Sequence, residues 1–501
     1  MIEYLASGLE TLLSLSNFLF INVGILIGII FGALPGLTVA LAIVLFLPFT
    51  FGLSAVNGIL MLLGIYCGGT YGGSISAILI KTPGTPSSAA TIIDGYPLAQ
   101  KGHPRKALLM ALTASAIAGF ISALILLMAG PQLAKATLFF GPAEYAALAV
   151  FGLSIVASLC SQNLLKGVIA GSLGLFISTL GIDSFDGTYR FTFGNYNLFG
   201  GIELVPALIG LFAISEILTK GGTPLHEVDV KRNIRLERSD RLSFAEVYKN
   251  LGTIVRSALI GTVIGAVPGT GGGIAAFFSY NEAKRTSRKR DEFGEGSLTG
   301  IAAPEAGNNG VTGATLIPLL TLGIPGDGAV AILLGAFMMH GLLPGPRLFT
   351  EHGSIIYAVM LGLLVVNVFL WIQGRLLIKY FAMITVKVPE AVLTPILIFL
   401  CSAGAFSLNG TMFNVYIILV FGIIAYLLTK FGYPIIPLLL GLILGPTLEQ
   451  NLRRALIISE GSLGIFVTRP ISVFFIVITV LSVGFSLYHK HTAYRKEDVN
   501  Q

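Results

Sequence analysis

Two stretches decide the architecture: GIIFGALPGLTVALA at residues 28–42 and GTVIGAVPGTGGGIAAF at residues 261–277. In the first region Gly24, Gly28, Gly32 and Gly36 recur every fourth residue, with Pro35 before the last of them. In the second, Gly261, Gly265, Gly269 and Gly273 keep the same spacing, and Pro268 precedes Gly269. Aligning the two prolines superposes Gly28 on Gly261, Gly32 on Gly265 and Gly36 on Gly269. Small residues at every fourth position let helix backbones approach closely in lipid. These six glycines are therefore assigned to helix packing, and the matched runs to an internal repeat.

The surrounding composition requires lipid as the solvent. Of 501 residues, 54% are hydrophobic and 11% charged, where a soluble protein has roughly 25% charged residues. Mean hydropathy is +0.86. These values exclude an ordinary cytosolic enzyme, a disordered chain and a fibrous protein. Long unbroken apolar runs argue against a β-barrel, whose strands alternate. The expected fold is an all-α polytopic membrane protein. Apolar stretches fall at 17–34, 37–52, 54–80, 107–130, 143–160, 163–181, 202–218, 251–279, 311–339, 354–373, 391–407, 411–430, 434–445 and 466–488. Several are broken by Pro-Gly, so about 10–12 transmembrane helices plus re-entrant hairpins are expected from the ~20-residue span requirement.

Basic residues cluster at 101–106, 220–249 and 284–290, which places these loops in the cytoplasm. The loop 183–200 carries one Arg and two Asp and is placed outside. No aromatic-interleaved basic face exists, so no nucleic-acid partner is expected. Cys67, Cys160 and Cys401 lie far apart and the six histidines are scattered, so no metal site or disulfide is expected. The N-terminus carries Glu3 and Glu10 with no Lys or Arg, unlike a cleaved signal peptide, so the first apolar run is read as a membrane helix. The chain divides into a first repeat at 1–222, a cytoplasmic amphipathic connector at 223–250, a second repeat at 251–488 and a cytoplasmic tail at 489–501.

A second correspondence follows the glycine runs. YGGSISAILIKTPGTPSSAATIIDGYPLAQKG in the first half and NNGVTGATLIPLLTLGIPGDGAVAILLGAFMMHG in the second share one pattern: small residues, an apolar stretch, a Pro-Gly break, small residues and a closing glycine. Pro-Gly in mid-membrane frees backbone groups that lipid cannot satisfy, so the breaks must be buried in protein or line a polar cavity. Paired breaks in two repeats are the strongest sequence pointer to a transporter's binding site. The broken segments are expected near 81–88 and 323–328.

The first break, at Pro83-Gly84, offers hydroxyls and backbone donors suited to an anion from Ser74, Thr82, Gly84, Thr85 and Ser87, while Pro83 stops the helix and has no N–H to donate. Lys81 either neutralises a substrate carboxylate or snorkels to the interface. The second half offers Asn308, Asn309, Thr321, Pro325 and Gly326. Glu305 and Asp327 are candidates for carrying a coupling ion, since carboxylates in membrane segments are costly. The competing readings are a helix N-terminal charge for Glu305 and a helix cap for Asp327. Asp94 is read as a turn or cap in a polar loop. No phosphate-loop Lys-Ser/Thr, facing pair of intramembrane Asp or Gly-x-Ser-x-Gly elbow is present, so no enzyme activity is expected.

At these residues the chain resembles the large membrane subunit of the tripartite tricarboxylate transporters. The resemblance rests on LPG at 34–36, YGGSISAILIKTPGTP at 71–86, DGYPLAQKG at 94–102, VPGTGG at 267–272, PEAGNNG at 304–310, PLLTLGIPGDG at 318–328 and HGLLPGPRLF at 340–349. The sequence departs from the family pattern at Lys81, Gly307 and Asp327. The resemblance implies a multi-pass subunit of the bacterial inner membrane that works with a small four-helix membrane subunit. A periplasmic solute-binding protein would deliver an organic anion, a di- or tricarboxylate, for uptake driven by an ion gradient. No cofactor is implied; Na+ or H+ is the candidate coupling ion. The alternatives are a stand-alone carboxylate carrier and an uncoupled channel or scaffold.

Overall fold

The computed structural model describes residues 2–159, 164–221, 240–345, 347–387 and 390–499. Helices dominate it. Among the described residues, strands occur only as an antiparallel pair, Gly181–Ile182 with Tyr189–Arg190. Among the described residues, six helices are long and apolar enough to cross a membrane: Leu15–Ala33, Ala55–Ile80, Pro104–Thr137, Gly353–Thr385, Met412–Lys430 and Ile435–Ile458. Shorter apolar helices include Pro142–Ala157, Leu164–Ser178 and Gly328–Met339. The chain is an all-α polytopic membrane protein.

Two compact units make up the molecule. One joins Met1–Lys135 to Gly222–Gly404; the other joins Ala136–Gly221 to Ala405–Gln501. Each unit thus draws on both the 1–222 and the 251–488 stretches.

In the first unit the core helix is Ala55–Ile80, and every residue from Gly58 to Leu79 is buried. A helix buried all round needs a covering layer on each face. Helix Leu15–Ala33 supplies one. Its Gly24, Gly28 and Gly32 lie against the carbonyls of Met61, Ile65 and Gly69, with no room for a Cβ. Gly64, Gly68 and Gly72 meet the carbonyls of Ile21, Ile25 and Ile29 from the other side. The second half builds the same contact from Phe244–Gly265 and Leu298–Ala314. Gly261 faces the Gly307 carbonyl, and a Cβ on Gly265 would stand 3.0 Å from the Cα of Val311. Gly36 and Gly269, expected among the packing glycines, occupy turns beyond these helices instead, with φ of +79° and +85°. Both helices have already ended, at Ala33 and Gly265, because Pro35 and Pro268 cannot donate to a helix ladder.

The boundaries differ from the sequence reading in several places. The run 251–279 is two helices, Phe244–Gly265 and Gly271–Thr286, parted at Pro268. Of the connector 223–250, residues 223–239 lie outside the described residues. The remainder is no separate surface helix, because Ser243 and Glu246 form a capping box that starts Phe244–Gly265 there. The segment 489–499 continues helix Pro470–Val499.

The second unit uses the same packing device, with Gly174 against the Leu438 carbonyl and Gly441 against the Gly171 carbonyl. The loop 183–200 is fastened by ion pairs. Arg190 donates to Glu449 at 2.6 and 3.2 Å, and Arg453 pairs with Asp183 at 2.9 Å. Backbone N–H groups, Phe185 first, together with the two arginines hold the Asp183 carboxyl below its ordinary pKa.

Because backbone carbonyls cannot retreat, Gly28→Ala and Gly261→Ala are each expected to destabilise the detergent-solubilised protein by about 1–3 kcal/mol, the usual cost of overpacking. Gly252→Ala has open space around it and should be neutral or slightly stabilising. Thermal unfolding of the three variants checks this.

Candidate substrate and ion site

Both Pro-Gly breaks are built alike. Helix Ala55–Ile80 stops at Lys81, whose φ of +59° is left-handed. Helix Leu316–Leu322 stops at Gly323, with φ of +71°. Each left-handed residue is followed by an extended segment carrying Pro83-Gly84 or Pro325-Gly326, and then by a new helix. A left-handed residue ends a helix by turning its last amide back onto earlier carbonyls, and the proline two residues on prevents its resumption. The breaks therefore begin before the Pro-Gly pairs themselves.

The freed backbone groups find partners inside the unit. The Gly84 N–H donates to the Gly73 carbonyl at 3.2 Å, and the Gly269 N–H donates to the Gly326 carbonyl at 2.8 Å. Thr85 starts the next turn in a capping box with Ser88, whose hydroxyl donates to the Thr85 carbonyl at 2.8 Å. Asp327 caps helix Gly328–Met339 by accepting the Val330 N–H at 2.8 Å. The Tyr66 hydroxyl donates to the other Asp327 oxygen at 2.8 Å. The carboxylate of Asp327 is thus engaged on both oxygens.

Glu305 lies in the middle of helix Leu298–Ala314 and is 0% exposed. It is therefore not an N-terminal helix charge. One carboxylate oxygen accepts from the Ser74 and Thr91 hydroxyls; the other accepts from Ser115 at 2.8 Å. Three helices of the first half thus surround a carboxylate of the second. Asn309, one turn on, donates to the Ser115 hydroxyl at 2.8 Å and to the Glu305 carbonyl at 3.2 Å. Its side-chain oxygen is buried with no hydrogen-bond partner, as is the Tyr71 hydroxyl. Among the described residues no cationic side chain pairs with Glu305. Burying a carboxylate without a counter-charge is costly, and three hydroxyl donors offset only part of that cost. Hydroxyls both donate and accept, so by rotating they would present lone pairs to a small hard cation.

The remaining sequence candidates are distributed as follows. Lys81 is exposed, with its ammonium 5.7 Å from the Tyr96 ring centroid, and it does not join Glu305. Thr82 is half-buried and bonds weakly to the Ile80 carbonyl at 3.4 Å. Thr321 is buried and donates to Ile317 of its own helix at 2.7 Å. Ser87 shares a 3.1 Å hydrogen bond with Thr85. Asn308 is 2% exposed, with its amide nitrogen unpartnered.

The sequence reading notes Thr91 only as a hydroxyl flanking the first break and does not single out Ser115. Thr91 stands close to the first break, which was a usable signal. Ser115 sits in an ordinary apolar run and nothing local marks it. The sequence reading puts Asp94 in a polar loop. It is a fully buried residue inside helix Ala89–Gln100. One oxygen accepts the N–H groups of Gly294, Gly296 and Ser297 at 2.7–2.9 Å, and the other accepts the Tyr280 hydroxyl at 2.9 Å. It ties the helix after the first break to the start of the helix that carries Glu305.

A helical membrane protein with two interrupted helices beside a buried, unneutralised carboxylate has the makings of a membrane transport protein. Over residues 18–440 the sequence matches the Tripartite tricarboxylate transporter TctA family. The chain belongs to that family and is a membrane-embedded subunit of a tripartite transport system. It is 39% identical over 485 residues to the "Uncharacterized 52.8 kDa protein in TAR-I ttuC' 3'region" of Agrobacterium vitis, covering 97% of this chain and 95% of the relative. It is 40% identical over 212 residues to the "Uncharacterized protein in TAR-II ttuC' 3'region" of the same organism, covering 42% of this chain and 87% of the relative. No solved structure matches significantly.

Asp94→Ala leaves three backbone donors and a tyrosine hydroxyl unpaired and should cost at least about 3 kcal/mol. Tyr280→Phe, which removes one bond, should cost about 1–2 kcal/mol. Thermal unfolding in detergent ranks the two; equal effects would contradict the clamp.

Proposed function

We propose that this chain is the large subunit of an ion-gradient-driven importer of organic di- or tricarboxylates. It works in the bacterial inner membrane with a small four-helix membrane subunit and takes its substrate from a periplasmic solute-binding protein. The two halves act as inverted repeats whose breaks converge on the transport site. Family membership supports the tripartite system. The observation that carries the ion coupling is the Glu305 carboxylate, enclosed by Ser74, Thr91 and Ser115 with no basic partner among the described residues. Of the two coupling candidates Glu305 is preferred, because both Asp327 oxygens already serve a helix cap and Tyr66. A proton or Na+ arriving at Glu305 removes the cost of an isolated buried charge, so ion binding and the folded transport site favour each other.

Reconstitution in proteoliposomes with the partner subunits tests this. The native protein should accumulate a labelled carboxylate against its gradient when an inward H+ or Na+ gradient is imposed, and the effective ion names the coupling. Glu305→Gln should lose gradient-driven accumulation and keep exchange of internal for external substrate. Accumulation unaltered in Glu305→Gln would remove Glu305 from the coupling. Equilibration without accumulation by the native protein would favour a channel.

A further inference from the structure

Helices Phe244–Gly265 and Gly271–Thr286 form a hairpin about the turn at Pro268. Its exposed side carries a groove of about 1170 Å³ lined by Leu251, Val255, Leu259, Val263, Ile274 and Phe278. In a membrane protein such a face meets lipid, so its apolar side chains need no further reason. Two other residues of the same groove do need one, Arg256 and Gly252.

A charge in a lipid-facing groove is costly unless it is paired. The one ion pair of Arg256 among the described residues is to Glu282, at a long 4.0 Å. Both Glu282 oxygens already accept from Arg285, at 2.9 and 3.1 Å. The Arg256 Nε is buried with no hydrogen-bond partner. One carboxylate thus serves two guanidiniums, and the groove keeps an excess positive charge. Gly252 stands one turn before Arg256. Glycine inside a helix is destabilising. At Gly28 and Gly261 close backbone contact explains it, but no atom lies within 4 Å of where a Gly252 side chain would begin. A helical side chain leans toward the N-terminus of its helix, so Arg256 leans toward this notch. Lys249, Lys284 and Arg288, all exposed, lie toward the same end of the hairpin.

We propose that this groove binds one anionic phospholipid, with the phosphate at Arg256 in the Gly252 notch and an acyl chain along the apolar lining. The guanidinium fork matches phosphate oxygens in geometry, and the excess positive charge matches the single negative charge of a phosphodiester. From Gly252 to Val263 the helix rises about 16 Å at 1.5 Å per residue, close to the ~15 Å that one leaflet contributes to the hydrocarbon core. The basic end of the hairpin belongs to the cytoplasmic leaflet by the positive-inside rule, and basic pockets between helices on that side suit anionic headgroups. A general annulus of lipid would need neither the charge nor the notch. Bound there, the lipid stabilises the hairpin whose turn supports the second break through the Gly269 N–H and the Gly326 carbonyl.

The experiment is thermal unfolding of the purified full chain in neutral detergent, titrated with phosphatidylglycerol, phosphatidylethanolamine and water-soluble glycerophosphate. Phosphatidylglycerol should raise the midpoint with the logarithm of its concentration, as a ligand of the folded state does. Phosphatidylethanolamine, with no net charge, should need about tenfold more for the same rise, and so should phosphatidylglycerol with Arg256→Gln, as for loss of a charge-assisted hydrogen bond. Arg256→Lys should keep part of the response. Gly252→Leu fills the notch without touching the fold and should weaken the response at least as much as Arg256→Gln. Midpoints without lipid that match the native chain show that both variants fold. Lys289→Gln removes the same charge from an exposed position nearby and should respond as the native chain does. Native-like responses in both Arg256→Gln and Gly252→Leu would overturn the site. A loss in Lys289→Gln equal to that in Arg256→Gln would replace it by diffuse surface attraction. An equal response to glycerophosphate would make it a site for free phosphate. Crosslinking from Leu259→Cys in native membranes to a second protein, with no phospholipid copurifying, would give the groove to that protein and overturn the lipid assignment.

Discussion

Every backbone amide and carbonyl in the membrane must find its partner within the protein, and the rest of this structure follows from that constraint. An unbroken helix meets it alone. A broken helix meets it only where other protein surrounds the break. Here both breaks are enclosed in one compact unit, where the Gly84 and Gly269 amides reach carbonyls of other segments. Enclosure in turn needs close helix approach, which the glycines of Leu15–Ala33, Ala55–Ile80, Phe244–Gly265 and Leu298–Ala314 allow. The small residues and the breaks are therefore one device: the first makes room for the second.

Charge is used sparingly inside that unit. Three acidic residues next to the breaks, Asp94, Glu305 and Asp327, have three different environments. Asp94 is saturated by backbone N–H groups and a tyrosine, and fastens elements together. Asp327 caps a helix and accepts from Tyr66. Glu305 alone receives only side-chain hydroxyls, which can turn. The difference lies in the rigidity of the partners: a backbone donor keeps its direction, whereas a Ser or Thr hydroxyl rotates to suit what is bound. That separates an architectural carboxylate from one able to exchange an ion.

Much of this was legible beforehand. Lipid as the solvent, the helical class, the packing role proposed for Gly28 and Gly261, and breaks at 81–88 and 323–328 rest on composition and local pattern, and the family on the resemblance of its motifs. The environments of the three carboxylates were not legible. Asp94 read as a loop residue, because Gly95 and Pro97 usually punctuate helices. In the structure the helix runs through them, held by tertiary partners at Gly294, Gly296, Ser297 and Tyr280. Lys81 read as a possible anion partner from its position in the chain. Its left-handed backbone turns it to the exposed side, over Tyr96.

By itself the sequence determined the solvent, the helical class and the places where helices must stop, since hydropathy, proline and glycine act within a few residues of themselves. Only the tertiary structure decided which carboxylate stands without a counter-charge and which hydroxyls surround it. Ser74, Thr91, Ser115 and Glu305 are brought together from four helices spread over more than two hundred residues. A hydroxyl in an apolar run carries no local mark of the group it will face. That information exists only once close glycine packing has set the helices side by side.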